Sequence, residues 1–489
     1  MFRNACVLTR RLVLQLLSRP LILDDLTRFQ SVYAHRIRKL DLFRNGTDNE
    51  LVVHLLRSLQ EMHVGLADSQ ILLLAPRLTT LSWYSLIHPS YASIFRSVLH
   101  FLSPRLNYIQ LHVSLEDDTH QDLIFSLGDR YPALESFRIT YAPNEQHPEG
   151  RQWITFEPAS HSHFQNLRYL GIPHLTDEGL ELVSQLPKLT HLNISDFLYI
   201  PPPEPSHQPS TAYTAFPSLQ SLFGVTVDMD NAFGLIQRIP PSAPLTSLWL
   251  AFTPRSGEAH TLAQWQTLLD LVHQHCNHAT LEILSLQESD FYEPEETLLP
   301  PVGPIAGDIE ALNLSPLFAF TSLSSLRLSV AHNLALTPKD LRSMAESWKS
   351  VKLLELSPKY PSYKHPAINH EDVIHLVRDL PKLTTLGIIF DAQNIPSPAP
   401  LLNPKAIKRF QSLSVGNSPL GSVNAAVDIL KLHFPRLAEV NACNHPTVPS
   451  TAVALEWAKV GLELISSIIA RRKARADAAA ARRAGLHQE

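Results

Sequence analysis

Residues 186–194 read LPKLTHLNI, and the spacing of the apolar residues in this stretch decides the fold. From Leu189 onward, apolar residues occupy the first, fourth and sixth positions of a phrase L-x-x-L-x-L, and Pro187 precedes it by two residues. Such phrases recur along the chain at intervals of roughly 30 residues, which is the range of stacked repeat architectures. They begin at Ile37, Leu78, Leu106, Leu134, Leu167, Leu189, Leu219, Leu245, Leu281, Leu323, Val351, Leu383, Phe410 and Leu437.

Prolines and helix-start signals define the rest of each repeat. A proline stands two residues before the phrase at Pro76, Pro104, Pro132, Pro187, Pro217, Pro381 and Pro435. Because proline cannot continue a helix and favours extended chain, it marks the change from helix to strand. Upstream, Thr337 and Asn369 are each followed three residues later by aspartate, and Thr176 precedes apolar residues at helical spacing. Each repeat is therefore predicted to be a helix, a proline turn and a short strand.

One such unit leaves its apolar side exposed, and only stacking on neighbouring units buries it. The sequence thus predicts an α/β leucine-rich-repeat solenoid: a right-handed arc with a parallel sheet on its concave side and helices on its convex side. We divide it into an N-terminal helical cap (1–36), about 14 irregular repeats (37–446), and a capping helix with a basic tail (447–489). The consensus turn asparagine is present only at Asn45, which favours the longer, helix-containing repeat type. Leu192 and Leu326 should be fully buried.

The two termini carry separate predictions. Near the C-terminus, a helical stripe predicted to cover the last repeat consists of Trp457, Val460, Leu464, Ile465, Ile468 and Ile469. The first 23 residues contain four arginines and no acidic residue. This pattern fits either a mitochondrial presequence or an amphipathic helix that covers the first repeat, and we favour the helix.

Composition narrows the functional classes. With three cysteines in 489 residues, the sequence favours a reducing compartment over a disulfide framework. A net charge of −5 gives no reason to expect nucleic acid or an anionic membrane as the main partner. The sequence contains no apolar stretch long enough to span a membrane. We expect a cytoplasmic or nuclear protein.

Motifs of catalysis and cofactor binding are missing from the sequence. It has neither a glycine-rich phosphate loop nor a G-x-S-x-G nucleophile elbow, so we expect no enzyme activity and no cofactor. The best candidate zinc ligands are His273, His275, Cys276 and His278. However, His273 and His275 project about 200° apart on a helix, which favours a structural role and no metal.

The binding surface is predicted from strand geometry. Since side chains alternate between the two faces of a strand, residues beside the last leucine of each phrase point away from the core. The candidate partner-binding residues on the concave face are Tyr84, Arg138, Asn193, Phe223, Trp249 and Arg327. Phe223 and Trp249 fall on consecutive strands, and tryptophan and arginine are favoured in binding hot spots. Trp249 is predicted to anchor a protein partner, the alternative being that it packs on its neighbour in the next repeat.

Four stretches carry a resemblance to a known family: SRPLILDDLTRFQSVYAHRIRKLDL (18–42), LLLAPRLTTLSW (72–83), FQNLRYLGIPHLTDEGLELVSQLPKLTHLNI (164–194) and FQSLSVGNSPLGSVNAAVDILKLHFPRLAEV (410–440). Together they resemble fungal F-box/leucine-rich-repeat proteins over about residues 18–460. The resemblance implies a substrate receptor, in which an F-box docks on the Skp-type adaptor of a cullin-based ubiquitin ligase and the repeats hold the target. The F-box helices would precede residues 19–20, and they are not evident there. Docking on the adaptor therefore stays open, and a leucine-rich-repeat scaffold or adaptor with no ligase link is the alternative.

Overall fold

A computed structural model describes residues 23–42, 56–57, 74–84, 98, 100–113, 131–141, 164–173, 175, 177–194, 215–252, 260–288, 311–330, 334–356, 365–396, 407–442 and 452–485. The chain forms two compact units, Met1–Gly224 and Val225–Glu489, which are described in turn. Residues 1–22, which hold most of the candidate presequence (1–23) and the first part of the predicted N-terminal cap (1–36), lie outside the described residues. The predicted turn residue Asn45 and the predicted helix cap Thr176 also lie outside them.

The strands form a 14-stranded sheet whose order follows the chain. They are β1 (Lys39–Leu42), β2 (Thr80–Tyr84), β3 (Tyr108–Val113), β4 (Ser136–Tyr141), β5 (Tyr169–Ile172), β6 (His191–Ile194), β7 (Ser221–Val227), β8 (Ser247–Phe252), β9 (Ile283–Glu288), β10 (Ser325–Ser329), β11 (Leu353–Leu356), β12 (Thr385–Ile388), β13 (Ser412–Gly416) and β14 (Glu439–Ala442). The pairings described within each unit are parallel. The prediction of an α/β leucine-rich-repeat solenoid is confirmed.

Two α-helices are described in the first unit: α1 (Leu23–Val32) and α2 (Asp177–Ser184). The strands stack so that the second leucine of each phrase faces its counterpart in the next repeat. From β2 to β7 the aligned residues are Leu81, Ile109, Phe137, Leu170, Leu192 and Leu222. Each of them is at most 1% exposed, so this column is the core of the unit. The burial predicted for Leu192 is confirmed.

The second unit contains more helices among its described residues. They are α3 (Met229–Gln237), α4 (Leu262–His275), α5 (Pro338–Ser347), α6 (His370–Asp379), α7 (Val423–His433) and α8 (Ala452–Gly485). Here the column of second leucines runs through Leu248, Leu284, Leu326, Leu354, Leu386 and Leu413, all 0% exposed. The burial predicted for Leu326 is therefore confirmed as well.

The prolines lie in the predicted turn before the strand, and they occupy the second position of that turn. The amide of Leu78 donates to the carbonyl of Ala75 at 3.0 Å across Pro76, and the amide of Leu106 donates to Ser103 across Pro104. Proline suits this position because its fixed φ matches the second residue of common β-turns. Aromatic residues often begin the turn; Phe216, Phe320 and Phe434 are each at most 1% exposed there. The turn thus fixes a core side chain and starts the strand.

A backbone hydrogen-bond ladder connects the repeats at the residue after the first leucine. The carbonyl of Arg168 accepts from the amides of Thr190 and His191 at 2.8 and 2.9 Å, and the Thr190 hydroxyl adds a third bond at 2.9 Å. Threonine repeats this bond at Thr79 and Thr384. These bonds pair backbone carbonyls of one repeat with the amides and the threonine hydroxyl of the next, at the start of each strand.

Two of the predicted helix caps are confirmed. Thr337 and Asp340 form a capping box at α5, with Pro338 in the first turn, and Asn369 and Asp372 form another at α6. The rule that an α-helix precedes each strand is wrong before β10, where a 3₁₀ helix spans Ser315–Ala319. Pro316 lies in the first turn of this short helix, where its missing N–H leaves no hydrogen bond unmade.

The C-terminal helix α8 packs against β14 and α7. Trp457, Val460 and Leu464 form its buried face. The predicted stripe is wrong for Ile465 and Ile469, which are 44% and 60% exposed, since they lie roughly 100° or more around the helix from Leu464. Among the helices that the structure describes, none combines the length and apolar character that crossing a membrane requires.

Candidate functional site

The surface of the sheet opposite the buried leucines is the candidate binding surface, and we call it the open face. Its central line, the middle row, consists of the residue between the second and third apolar positions of each phrase. Because the strands pair in register, middle-row residues of consecutive repeats are neighbours. In the first unit the row from β2 to β7 is Ser82, Gln110, Arg138, Gly171, Asn193 and Phe223.

A polar network orders the open face at β3 and β4. The Tyr108 hydroxyl donates to Gln110 Oε1 at 2.7 Å, and Gln110 Nε2 lies 3.1 Å from His112 Nε2. The other ring nitrogen of His112, Nδ1, lies 2.7 Å from Thr140 Oγ1 on the next strand. These bonds fix four half-buried side chains on the outward side of the sheet. Such an ordered surface loses little conformational entropy when a partner binds.

Arg138 lies beside this network, and its position depends on a glycine. A Cβ atom on Gly171 would lie 3.0 Å from Arg138 Cγ and 3.2 Å from Tyr169 Cε1. The absence of a side chain at 171 therefore lets the arginine stem lie close to β5, next to the tyrosine ring. Asn193 Nδ2 lies 3.5 Å from the Tyr169 hydroxyl, and the ring of His191 lies 6.3 Å from that of Tyr169. Arginine, tyrosine, asparagine and histidine thus meet within three strands.

The open face of the second unit carries an ion pair between neighbouring strands. Arg327 Nε lies 2.8 Å from Glu355 Oε2 on the next strand, so its charge is neutralised locally. Trp249 is half-buried and is in register with Ser285, which is itself 2% exposed although it points outward. Ser285 Oγ accepts a hydrogen bond from Gln287 Nε2 at 2.6 Å. A serine this deeply buried on an outward position must be covered by its larger neighbours in the row.

The structure locates the predicted partner-binding residues as follows. Arg138, Asn193, Phe223, Trp249 and Arg327 are half-buried in their strands and belong to the middle row. The Tyr84 side chain lies outside the described residues. Phe223 belongs to the first unit and Trp249 to the second, so their predicted neighbourhood stays a prediction. Sequence reasoning missed Gln110, His112, Tyr169 and His191, which occupy outward positions of the same strands.

The candidate zinc ligands make separate structural contacts at the end of α4. The rings of His273 and His278 stack at 4.6 Å, and His278 Nε2 lies 2.7 Å from the carbonyl oxygen of His273. His275 Nδ1 lies 3.2 Å from the carbonyl oxygen of Ile239. Cys276 is buried, and burial raises the pKa of its thiol to about 12. In the part of the chain that the structure describes, no three His, Cys, Asp or Glu side chains form a group that could hold a metal ion.

A buried histidine–glutamate pair that the sequence did not reveal lies in the second unit. His260 Nδ1 is 3.3 Å from Glu288 Oε1, and both side chains are at least nine-tenths buried. Phe252 and Trp265 surround the imidazole, with ring centroids 6.1 and 6.4 Å from it. Because a buried carboxylate without a partner is costly, the pair ties the start of α4 to the end of β9. Its contacts are those of a structural pair.

His112 is the open-face residue whose titration is most perturbed. Its burial, and next the positive charge of Arg138, lower the pKa of its imidazole from 6.5 to about 4. The ring is therefore neutral at physiological pH. In its neutral form one ring nitrogen donates and the other accepts, so Gln110 and Thr140 can each find a complementary partner.

The lowered pKa of His112 predicts a pH-dependent stability. Between about pH 6.5 and pH 4 the unfolded chain binds a proton that folded His112 does not, so stability should fall as the pH decreases through this window. Below about pH 4 His112 is protonated in both the folded and the unfolded state, so stability no longer changes with pH through this group. Urea unfolding at several pH values should show a smaller acid loss for His112→Gln than for the wild type. A His112 imidazole that titrates near pH 6.5 by NMR in the folded protein would contradict the assignment.

Comparisons with known proteins assign this chain to no family. No protein-family model matches the sequence, and no curated protein matches it. Among solved structures, the crystal structure of the Rad7 and Elc1 complex in yeast is similar at 14% identity and a TM-score of 0.32, covering 77% of this chain and 78% of that chain. The leucine-rich repeat-containing protein LegL7 from Legionella pneumophila is similar at 11% identity and a TM-score of 0.27, covering 79% and 98%. Likenesses at this level do not indicate what this chain binds.

Proposed function

We propose that this protein is a non-catalytic interaction module that holds a protein partner on the open face of its sheet. The ordered network of the first unit carries the proposal, because it presents fixed aromatic and polar side chains at outward positions where the core does not need them. Tyrosine and arginine are enriched at protein interfaces, since they supply large contact area together with hydrogen bonds. Repeat solenoids use such continuous surfaces for binding.

We further propose that the partner is a substrate and that the protein serves as the substrate-recognition part of an F-box-type cullin ubiquitin ligase. The resemblance of the four repeat stretches to F-box/leucine-rich-repeat proteins supports this assignment. The alternative is a leucine-rich-repeat scaffold or adaptor with no ligase link. The two differ in one observable property, which is binding to a Skp-type adaptor.

Site-specific cross-linking tests the binding surface. A photo-reactive amino acid is placed at Gln110 and, separately, at Gln287, both on the open face, with controls at exposed helix positions Gln274 and Glu346. In cell extract, each of the two open-face positions should cross-link partner proteins, and the helix positions should not. Cross-linking that is equal from all four positions, or restricted to the helices, would overturn the proposed surface.

Adaptor binding separates the two functional assignments. The full chain, immobilised, is incubated with purified Skp-type adaptor and, separately, with the adaptor bound to its cullin. Retention of the adaptor supports the ligase receptor. If a partner is cross-linked from the open face while no adaptor is retained, the scaffold assignment replaces it.

Trp249 provides a quantitative prediction within this function. If Trp249 anchors the interface, the Trp249→Ala protein should capture far less of the partner. Truncation of a hot-spot residue typically costs about 2 kcal/mol or more of binding energy. The melting temperature should stay nearly unchanged. A large drop in melting temperature with capture retained per folded molecule would instead assign the indole to packing over Ser285.

A further inference from the structure

Arg138 carries a positive charge that no carboxylate of the described residues pairs with. Within the described residues it forms neither a hydrogen bond nor an ion pair, in contrast to Arg327, which pairs with Glu355 at 2.8 Å. Burial, and next the positive charge of Arg138, lower the pKa of the neighbouring His112 imidazole. A half-buried guanidinium retains part of its desolvation cost unless an anion approaches it.

The described outward positions of the strands around Arg138 are rich in hydrogen-bond donors. Among the described outward positions from β2 to β6 there is no carboxylate; they hold threonine, serine, tyrosine, glutamine, histidine, arginine, glycine and asparagine. The first carboxylate on this face is Asp41 in β1, and it is engaged by Lys39 at 3.4 Å. A surface with this composition complements a negatively charged ligand.

The local geometry also holds the arginine in place. The stem approaches the bare backbone of Gly171 next to the Tyr169 ring, so it is supported before any ligand arrives. A planar guanidinium offers paired N–H groups that match both oxygens of a carboxylate. Tyr169 can donate its hydroxyl hydrogen to the same ligand, and the Asn193 amide lies 3.5 Å from that hydroxyl. The three side chains converge from β4, β5 and β6.

We propose that Arg138, Tyr169 and Asn193 form a carboxylate-binding subsite that recognises an acidic segment of the partner, through an aspartate or glutamate side chain. This inference rests on the proposed binding function of the open face and names the chemistry of its ligand. Arg138 supplies the charge, Gly171 supplies the space for its stem, and Tyr169 and Asn193 orient the oxygens.

Peptide display on the full-length chain tests the subsite. A random-peptide library is selected against the wild type, Arg138→Gln and the control Arg105→Gln, which removes the same charge from an exposed turn in the same unit. Peptides selected by the wild type and by Arg105→Gln should be enriched in Asp and Glu, and Arg138→Gln should lose this enrichment. Synthetic copies of a selected peptide, measured by fluorescence anisotropy, should bind Arg138→Gln at least about tenfold more weakly.

A second variant guards against indirect effects. Gly171→Ala keeps the charge but pushes on the stem of Arg138, so it should weaken binding of the same peptide without abolishing the fold. Replacing the glutamates of the peptide by glutamine should reduce binding to the wild type, and replacing them by phosphoserine shows whether phosphate is preferred. A preference for phosphoserine over glutamate would overturn the acidic-segment assignment.

The outcomes separate this inference from the proposed function. Selected peptides without acidic enrichment, no selection of peptides at all, or equal binding by the wild type and Arg138→Gln would each overturn the carboxylate subsite. The proposed function would still stand if partners cross-link from Gln110 and Gln287. If no partner is cross-linked from Gln110 or Gln287, the proposed function itself is wrong.

Discussion

Leu326→Ala should lower the free energy of unfolding by about 2–5 kcal/mol, because a fully buried leucine is replaced by a cavity that its neighbours fill only in part. Leu326 is 0% exposed and in register with Leu284 and Leu354 on the adjacent strands. The same change at Leu192, in register with Leu170 and Leu222 in the first unit, should cost a similar amount.

The damage should spread along the stack. Each repeat depends on its neighbours for burial, so hydrogen exchange should accelerate in β9 and β11 as well as β10 for Leu326→Ala, and in β5 and β7 for Leu192→Ala. Ile283→Ala is the matched control: Ile283 lies on the open face of β9 and is 40% exposed. The free energy of unfolding of Ile283→Ala should fall by no more than about 1 kcal/mol, which is the span of strand propensities. Equal losses at Ile283 and Leu326 would mean that the assignment of buried and outward positions is wrong.

The features that the sequence predicted well depend on short distances along the chain. A proline turn extends over four residues, and the capping boxes at Thr337 and Asn369 extend over the same length. Periodic leucines determine burial without any knowledge of partners. The capping box between Thr261 and Gln264 at α4 was missed although it has the same spacing. The signal was present, with glutamine in place of the acidic residue.

The features that the sequence did not predict depend on pairing between repeats. The carbonyl ladder joins Arg168 to Thr190, and the ion pair joins Arg327 to Glu355, across intervals whose length varies from repeat to repeat. Once the phrases are aligned by their leucines, however, middle-row neighbours follow from the strand register. Such an alignment would have predicted both the Arg327–Glu355 pair and the approach of Arg138 to Gly171. The conformation of Tyr169 beside that arginine requires the structure.

The lack of a carboxylate at the described outward positions around Arg138 can also be read only in part from the sequence. Outward residues can be read from the alternation, and from β2 to β6 the described positions contain no acid. That absence becomes informative only when the register places Arg138 against Gly171, because a longer side chain at 171 would displace the stem. The composition of the surface and the register of its strands can therefore be read from the aligned sequence, whereas the conformation of Tyr169 beside Arg138 cannot.

Trp457→Ala should cost about 3–5 kcal/mol of unfolding free energy, the range for replacing a buried aromatic residue by alanine. Trp457 is 1% exposed, its ring centroid lies 6.0 Å from that of Phe390, and its Nε1 donates to the carbonyl of Ser418 at 2.8 Å. Removing the indole leaves a cavity and deprives a buried carbonyl of its donor. Because α8 covers β14 and α7, the last repeats of the second unit should open first.

Two matched variants separate packing from hydrogen bonding in this cap. Trp457→Phe keeps an aromatic ring at this position but removes the N–H. Its free energy of unfolding should therefore fall less than that of Trp457→Ala. Leu462→Ala, on the same helix and 65% exposed, should change stability by no more than about 0.5 kcal/mol. Hydrogen exchange should show increased exposure of β13, β14 and α7 in Trp457→Ala, while β2–β6 of the first unit keep their protection. If Trp457→Ala melts like the wild type, or if exchange rises evenly over both units, α8 does not stabilise the end of the stack.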